Sequence, residues 1–189
     1  MRRSRKIVII CHCILNLNAK VRGIANFPDL NKELIKFLLD REIGIIQMPC
    51  PEFTLLGEAR WGQCEKQYNT PYFRKHCRKI SEEIVDQVED YLSNSYKICG
   101  IIGLDGSPSC GVKVTCQGEW GGEMLFSPDL NKQLSTITMV PGPGVLIREL
   151  QKELVERNIN LPFVSFPEEA NLNELEQKEF FNQLEEILE

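Results

Sequence analysis

Brief apolar runs separated by stretches of helical spacing constrain this chain more than any other feature. Lys6-Ile7-Val8-Ile9-Ile10, Gly44-Ile45-Ile46-Gln47-Met48 and Ile98-Cys99-Gly100-Ile101-Ile102-Gly103-Leu104 are each strand-length. The continuous apolar character of the first predicts a strand covered on both faces, not one wet on one side. Leu161 to Phe166 is a fourth, shorter candidate. Between and after them, apolar residues recur at three- and four-residue intervals. Such spacing predicts helices over Leu30 to Asp40, Phe73 to Asn94, Gly144 to Arg157 and Leu172 to Leu188. Asp29 or Asn31 is a candidate cap for the first.

Strand-helix repeats of this kind predict an α/β fold. We expect a single-domain, three-layer, Rossmann-like sandwich with a mostly parallel sheet, right-handed crossovers and helices on both faces. A chain of 189 residues is most simply one domain spanning 1-189, which buries roughly 70% of the surface exposed when unfolded. Ligands of such sheets bind beyond the carboxyl ends of the strands, so the loops after Ile10, Met48 and Leu104 are the ones to read. Residues 112-140 do not fit the pattern. They lack a helical period and carry Gly118, Gly121, Gly122 and Pro128. We read them as a flap or insertion beside the site, with Val112 to Thr115 and Ile137 to Val140 able to pair as a hairpin.

Composition excludes several functions. A net charge of −5 does not favour binding to a phosphate backbone, so no nucleic-acid partner is expected. No apolar stretch reaches the ~20 residues of a membrane span. Met1 to Lys6 is basic, but the apolar run after it is too short for a signal peptide, and a cytoplasmic location is expected. Eight cysteines in a reducing compartment point to metal binding or catalysis ahead of disulfides.

Three of the cysteines follow the apolar runs directly. Cys13 lies in Cys11-His12-Cys13-Ile14-Leu15-Asn16, Cys50 in Met48-Pro49-Cys50-Pro51-Glu52, and Cys110 in Ser107-Pro108-Ser109-Cys110-Gly111. If the runs are parallel strands, all three thiols reach one edge of the sheet. Prolines on both sides fix the backbone at Cys50. Small residues around Cys110 leave backbone N–H groups free to tune a sulfur ligand. Glu52, two residues from Cys50, is suited to carry a proton beside a metal-thiolate centre. Cys64, Cys77, Cys99 and Cys116 share no spacing and read as packing residues. Cys11 stays open: it either ends its strand or joins Cys13, Cys50 and Cys110 as a fourth ligand.

The combination C-I-L-N…V-R-G, C-P-E and S-P-S-C-G, in this order, resembles the thiouracil desulfurase family. It spans most of residues 6 to 165. The stretches after Arg22 and after Glu52 depart from the family pattern, as in a divergent branch. The resemblance implies a 4Fe-4S cluster held by Cys13, Cys50 and Cys110, one iron lacking a protein ligand, Glu52 as catalytic acid-base group, and Ser107 and Ser109 beside a thiolated small-molecule substrate. The implied activity is non-redox removal of sulfur, for instance from a thiopyrimidine, with release of hydrogen sulfide. The competing expectations are a non-catalytic protein that holds zinc in a closed four-thiolate site or carries sulfur, and a thiol hydrolase, which needs a histidine base. Phe53, Trp61 and Trp120 could either stack on a planar ring or simply pack.

Overall fold

In a computed structural model, residues 3–24, 30–119, 121–123, 129–167 and 174–189 are described. The main sheet has four strands: β1 (Lys6–Cys11), β2 (Gly44–Met48), β3 (Lys97–Leu104) and β6 (Phe163–Phe166). Their order is β2-β1-β3-β6 and every pairing is parallel. Val8, Ile9 and Ile10 have no solvent exposure, as the continuous run requires of a central strand.

Two glycines in β3 show how the sheet is covered. Successive residues of a strand face opposite sides, so Gly100 and Gly103 look to different layers. A Cβ at Gly100 would meet Ile187 of α8 (Glu174–Leu188), and one at Gly103 would come within 3.5 Å of Ile147 of α7 (Val145–Glu156). Helix α5 (Pro71–Ser93) packs along α7, and α2 (Leu30–Asp40) joins α8 through the Phe37–Phe181 ring pair and the Arg41–Glu185 ion pair. The result is the expected α/β, Rossmann-like arrangement of one helical layer on each face. The sequence-predicted helices agree to within two residues at each described end. Cys99 is the extra residue where the β1–β3 register shifts between Ile7 and Val8, and it is buried.

The flap differs from its expectation in one respect. Its ends do pair, as antiparallel β4 (Val114–Gln117) and β5 (Thr138–Pro141), but a short helix, α6 (Leu130–Ser135), lies between them. Its six residues are too few to display a helical period. Asp129 marks its start by accepting a hydrogen bond from the Lys132 N–H at 3.2 Å, the capping interaction expected of aspartate. Trp120 lies outside the described residues.

Short elements that periodicity missed carry the functional loops. Helix α1 (His12–Leu15) follows β1 with no intervening loop, so the strand ends at Cys11. After β2 comes α3 (Pro51–Leu56), and then α4 (Glu65–Tyr68). Because the chain turns to one side of β1 to make β2 and to the other to make β3, the carboxyl ends of β1 and β3 flank a topological switch point. The loops bearing Cys13 and Cys110 leave the sheet there.

Candidate functional site

Cys13, Cys50 and Cys110 line one cavity of about 580 Å³, together with Glu52, Ser107 and Ser109. Every residue assigned to the site on the resemblance therefore reaches the same space, whereas Cys11, the ligand left open, has no solvent exposure and is not part of the lining. Its thiol is hydrogen-bonded with that of Cys110. Arg22 of the V-R-G motif is exposed and pairs with Glu58 at the outside. Phe53 and Trp61 also stand outside the cavity lining, so neither stacks in it.

Each thiol is fixed by a different device. Cys50 precedes α3 and accepts a hydrogen bond from the Phe53 N–H at 3.4 Å, with Pro51 at the first helical position. Proline is favoured there because its missing N–H would have no partner in any case. Cys13 sits in α1, which Asn31 anchors by donating to the Ile14 carbonyl at 2.6 Å. Cys110 is held in a knot of backbone bonds. Ser107 Oγ accepts from the Cys110 N–H at 3.0 Å, and Leu104 N–H donates to the Cys110 carbonyl at 2.9 Å. The first turn of α7 donates back to the same loop: Val145 N–H to Pro108 O and Leu146 N–H to Ser109 O, at 3.1 and 2.9 Å. Asp105 Oδ1 accepts from the N–H groups of Val112 and Lys113, both at 2.9 Å, and ties off the far end.

This knot leaves no room for a side chain at Gly111. A Cβ there would stand 2.2 Å from Val114 O and 2.9 Å from Ser107 O, both main-chain atoms. Gly111→Ala is expected to cost about 1–3 kcal/mol through forced backbone movement. The measurement is a lower urea midpoint at unchanged slope. An unaltered midpoint would mean that the loop yields freely.

Electrostatics follow from crowding. Burial, then the neighbouring Cys110 and Cys50, push the Cys13 thiol well above its ordinary value. Burial, then Cys110 and Glu52, push Cys50 up to about 12. Cys110 is raised first by its contact with Cys11 and then by burial. Buried thiols that repel one another as thiolates stay protonated, and a bound metal would have to displace those protons.

Glu52 is buried, and three donors converge on it. Ser109 Oγ donates to Oε1 at 2.6 Å, while Tyr68 OH and Arg60 Nε reach Oε2 at 3.3 and 3.4 Å. Burial, then the Glu52 charge, raises Tyr68 above the usual phenol value, so it remains a donor. Arg60 is itself anchored to the carbonyls of Ala19 and Gly57, at 2.6 and 3.2 Å. Arg60 and Tyr68 carried no signal in the sequence, and neither did buried Lys20, whose charge acts on Cys13. Their roles come from contacts far apart in the chain. The remaining wall is apolar. Val21 and Ile24 supply one side, and Leu134, Ile137 and Met139 of the flap supply another. Cys64 and Cys116, read from sequence as packing residues, also reach the cavity.

Among the described residues, no group of three or more His, Cys, Asp or Glu side chains is placed to hold a metal ion. No described helix is long and apolar enough to cross a membrane.

No family model matches the chain, and no solved structure matches it. It is similar to an uncharacterized protein of Methanocaldococcus jannaschii, with 28% identity over 186 residues. That alignment covers 98% of this chain and 99% of the other. The likeness therefore takes in the flap as well as the sheet.

Proposed function

We propose that this protein is an iron-sulfur-dependent, non-redox desulfurase. It acts on a thiolated small molecule such as a thiopyrimidine and exchanges the sulfur for a water oxygen, so that C=S and water become C=O and hydrogen sulfide. The observation that carries this reading is the meeting of Cys13, Cys50 and Cys110 with Glu52 at one cavity.

The donor set fits a 4Fe-4S cluster. Three soft thiols open onto one space, and their mutual influence on protonation marks them as neighbours. Such clusters ordinarily take four cysteines, one per iron. Cys11 is buried and not part of the cavity lining, so three are supplied here. When bound, the cluster would supply a Lewis-acidic iron open to the substrate sulfur.

The chain's own groups account for the rest. Ser109, Tyr68 and Arg60 all donate to Glu52 among the described residues, an arrangement that suits a group taking a proton from attacking water. Oε1, shared with Ser109, faces the S-P-S-C-G loop; the proton taken there returns to the departing product. Ser107 and Ser109 hold the loop and offer hydroxyls to a polar ring edge. The apolar flap residues shield the reacting carbon from bulk water, so that the water attacking it is one delivered at Glu52.

Anaerobic reconstitution with iron and sulfide tests the cofactor. The expected result is broad visible absorbance with about four iron and four sulfide per chain. Uptake of one zinc and no iron would overturn it. The activity is tested by following sulfide release from a thiopyrimidine with the loaded protein.

A further inference from the structure

We propose that Cys64 and Cys116 form a second, separate thiol site, a reversible disulfide that clamps the flap ribbon onto α4 at the cavity wall. This inference does not depend on the desulfurase reading and stands or falls without it.

The two residues lie 52 positions apart in the chain (116 minus 64), yet their thiols interact directly. Cys116 Sγ is 3.8 Å from the carbonyl oxygen of Gln63, the residue preceding Cys64. Both cysteines are reduced. Cys64 begins α4, where its N–H donates to Gln67 Oε1 at 2.8 Å. Cys116 is in β4 and pairs with Met139 of β5. A bond between them would therefore join a helix start of the main body to the middle of the ribbon. The surfaces already meet there: Lys66 Nζ lies 2.9 Å from both oxygens of Glu119. That pair is exposed and contributes little by itself. A covalent link would supply the constraint it lacks.

Position separates this pair from the other thiols. Cys13, Cys50 and Cys110 come from loops at the sheet edge, and Cys77 and Cys99 are buried away from the cavity lining. Cys64 and Cys116 both open onto the cavity, so a small reagent entering it meets them together. The flap residues Ile137 and Met139 line the same cavity. Tying β4 to α4 would fix their distance from the opposite wall.

The chemistry is thiol–disulfide exchange with a low-molecular-weight disulfide, R–S–S–R. The Cys64 thiolate attacks one sulfur of the reagent, the S–S bond breaks, and one RS⁻ leaves and takes up the proton that Cys64 has lost. Cys116 then attacks Cys64 in the mixed disulfide. A second RS⁻ leaves with the Cys116 proton. The protein has given up two electrons and two protons, and the reagent has become two R–SH. Burial raises the Cys64 thiol above its ordinary value, and its contact with Cys116 partly opposes this, whereas burial and Cys64 push Cys116 up to about 12, so Cys64 is the better attacker of the two. Exchange should accordingly quicken under mildly alkaline conditions.

The test treats the full-length, metal-free chain with oxidised glutathione, followed by alkylation, digestion and mass spectrometry. The expected product is a Cys64–Cys116 cross-linked peptide that is lost with dithiothreitol, with slower amide hydrogen exchange in residues 114–117 and 138–141. Cys64→Ser and Cys116→Ser should each abolish both changes while circular dichroism stays that of the parent chain. Separate glutathione adducts on Cys64 and Cys116, or a preferred link from either to another cysteine, would overturn the proposal. So would a cross-link that leaves exchange in the ribbon unaltered. Should either serine variant fail to fold, the cross-link map and exchange rates of the parent chain decide the matter alone.

Discussion

Glu52→Gln should retain the cluster and lose desulfurising activity by ~10²–10⁴-fold, the range typical for removal of a general acid-base group. Glutamine has nearly the same shape and can still accept at Oε1 from Ser109, which donates there at 2.6 Å. What it cannot do is take a proton. The substitution removes the carboxylate paired with buried Arg60, which costs stability, but Arg60 keeps its bonds to the Ala19 and Gly57 carbonyls, so the fold should survive with a lowered unfolding midpoint. Iron content and visible absorbance report the cluster, and sulfide release reports the activity. A loss below about threefold, against that expectation for acid-base groups, would remove Glu52 from the chemistry. A loss of iron in step with activity would reassign it to holding the site together.

Removing the thiols one at a time should divide them sharply. Cys13→Ala, Cys50→Ala and Cys110→Ala should each abolish stable iron loading, since three donors are already one fewer than such clusters usually have. Cys11→Ala should load like the parent chain. Cys11 is buried and absent from the cavity lining; its neighbour is Cys110. Iron and sulfide analysis after anaerobic reconstitution is the measurement. If Cys11→Ala also lost its metal, the site would be a closed four-thiolate centre, and a structural or carrier role would replace catalysis.

Much of the framework was legible in the chain. Continuous apolar runs such as Ile7 to Ile10 mark buried parallel strands, and parallel strands force the loops after them to a common edge. That geometry is what made the meeting of Cys13, Cys50 and Cys110 an expectation. Arg60 and Tyr68 were not legible, because their function is a contact with Glu52, and contacts between segments leave no local pattern. The short helices α1, α3, α4 and α6 escaped for a related reason: four to six residues cannot display a 3.6-residue period. Pro51 after Cys50 was a usable signal for α3, as proline at the first helical turn is a common start. Cys64 and Cys116 share no spacing, and it is the ribbon fold, not the sequence interval, that brings both to the cavity.

The cage around Glu52 has a consequence for how the protein is made. Ser109 follows Glu52 by 57 positions, and the strand that delivers it, β3, comes after α5 in the chain. A ribosome releases the chain from its N-terminus. Cys13, Cys50 and Glu52 therefore meet the surroundings before their third thiol and their closest hydrogen-bond donor exist. For that interval the nascent chain carries an unfinished acidic dithiol, and only the later arrival of β3, the flap and the first turn of α7 converts it into the completed site.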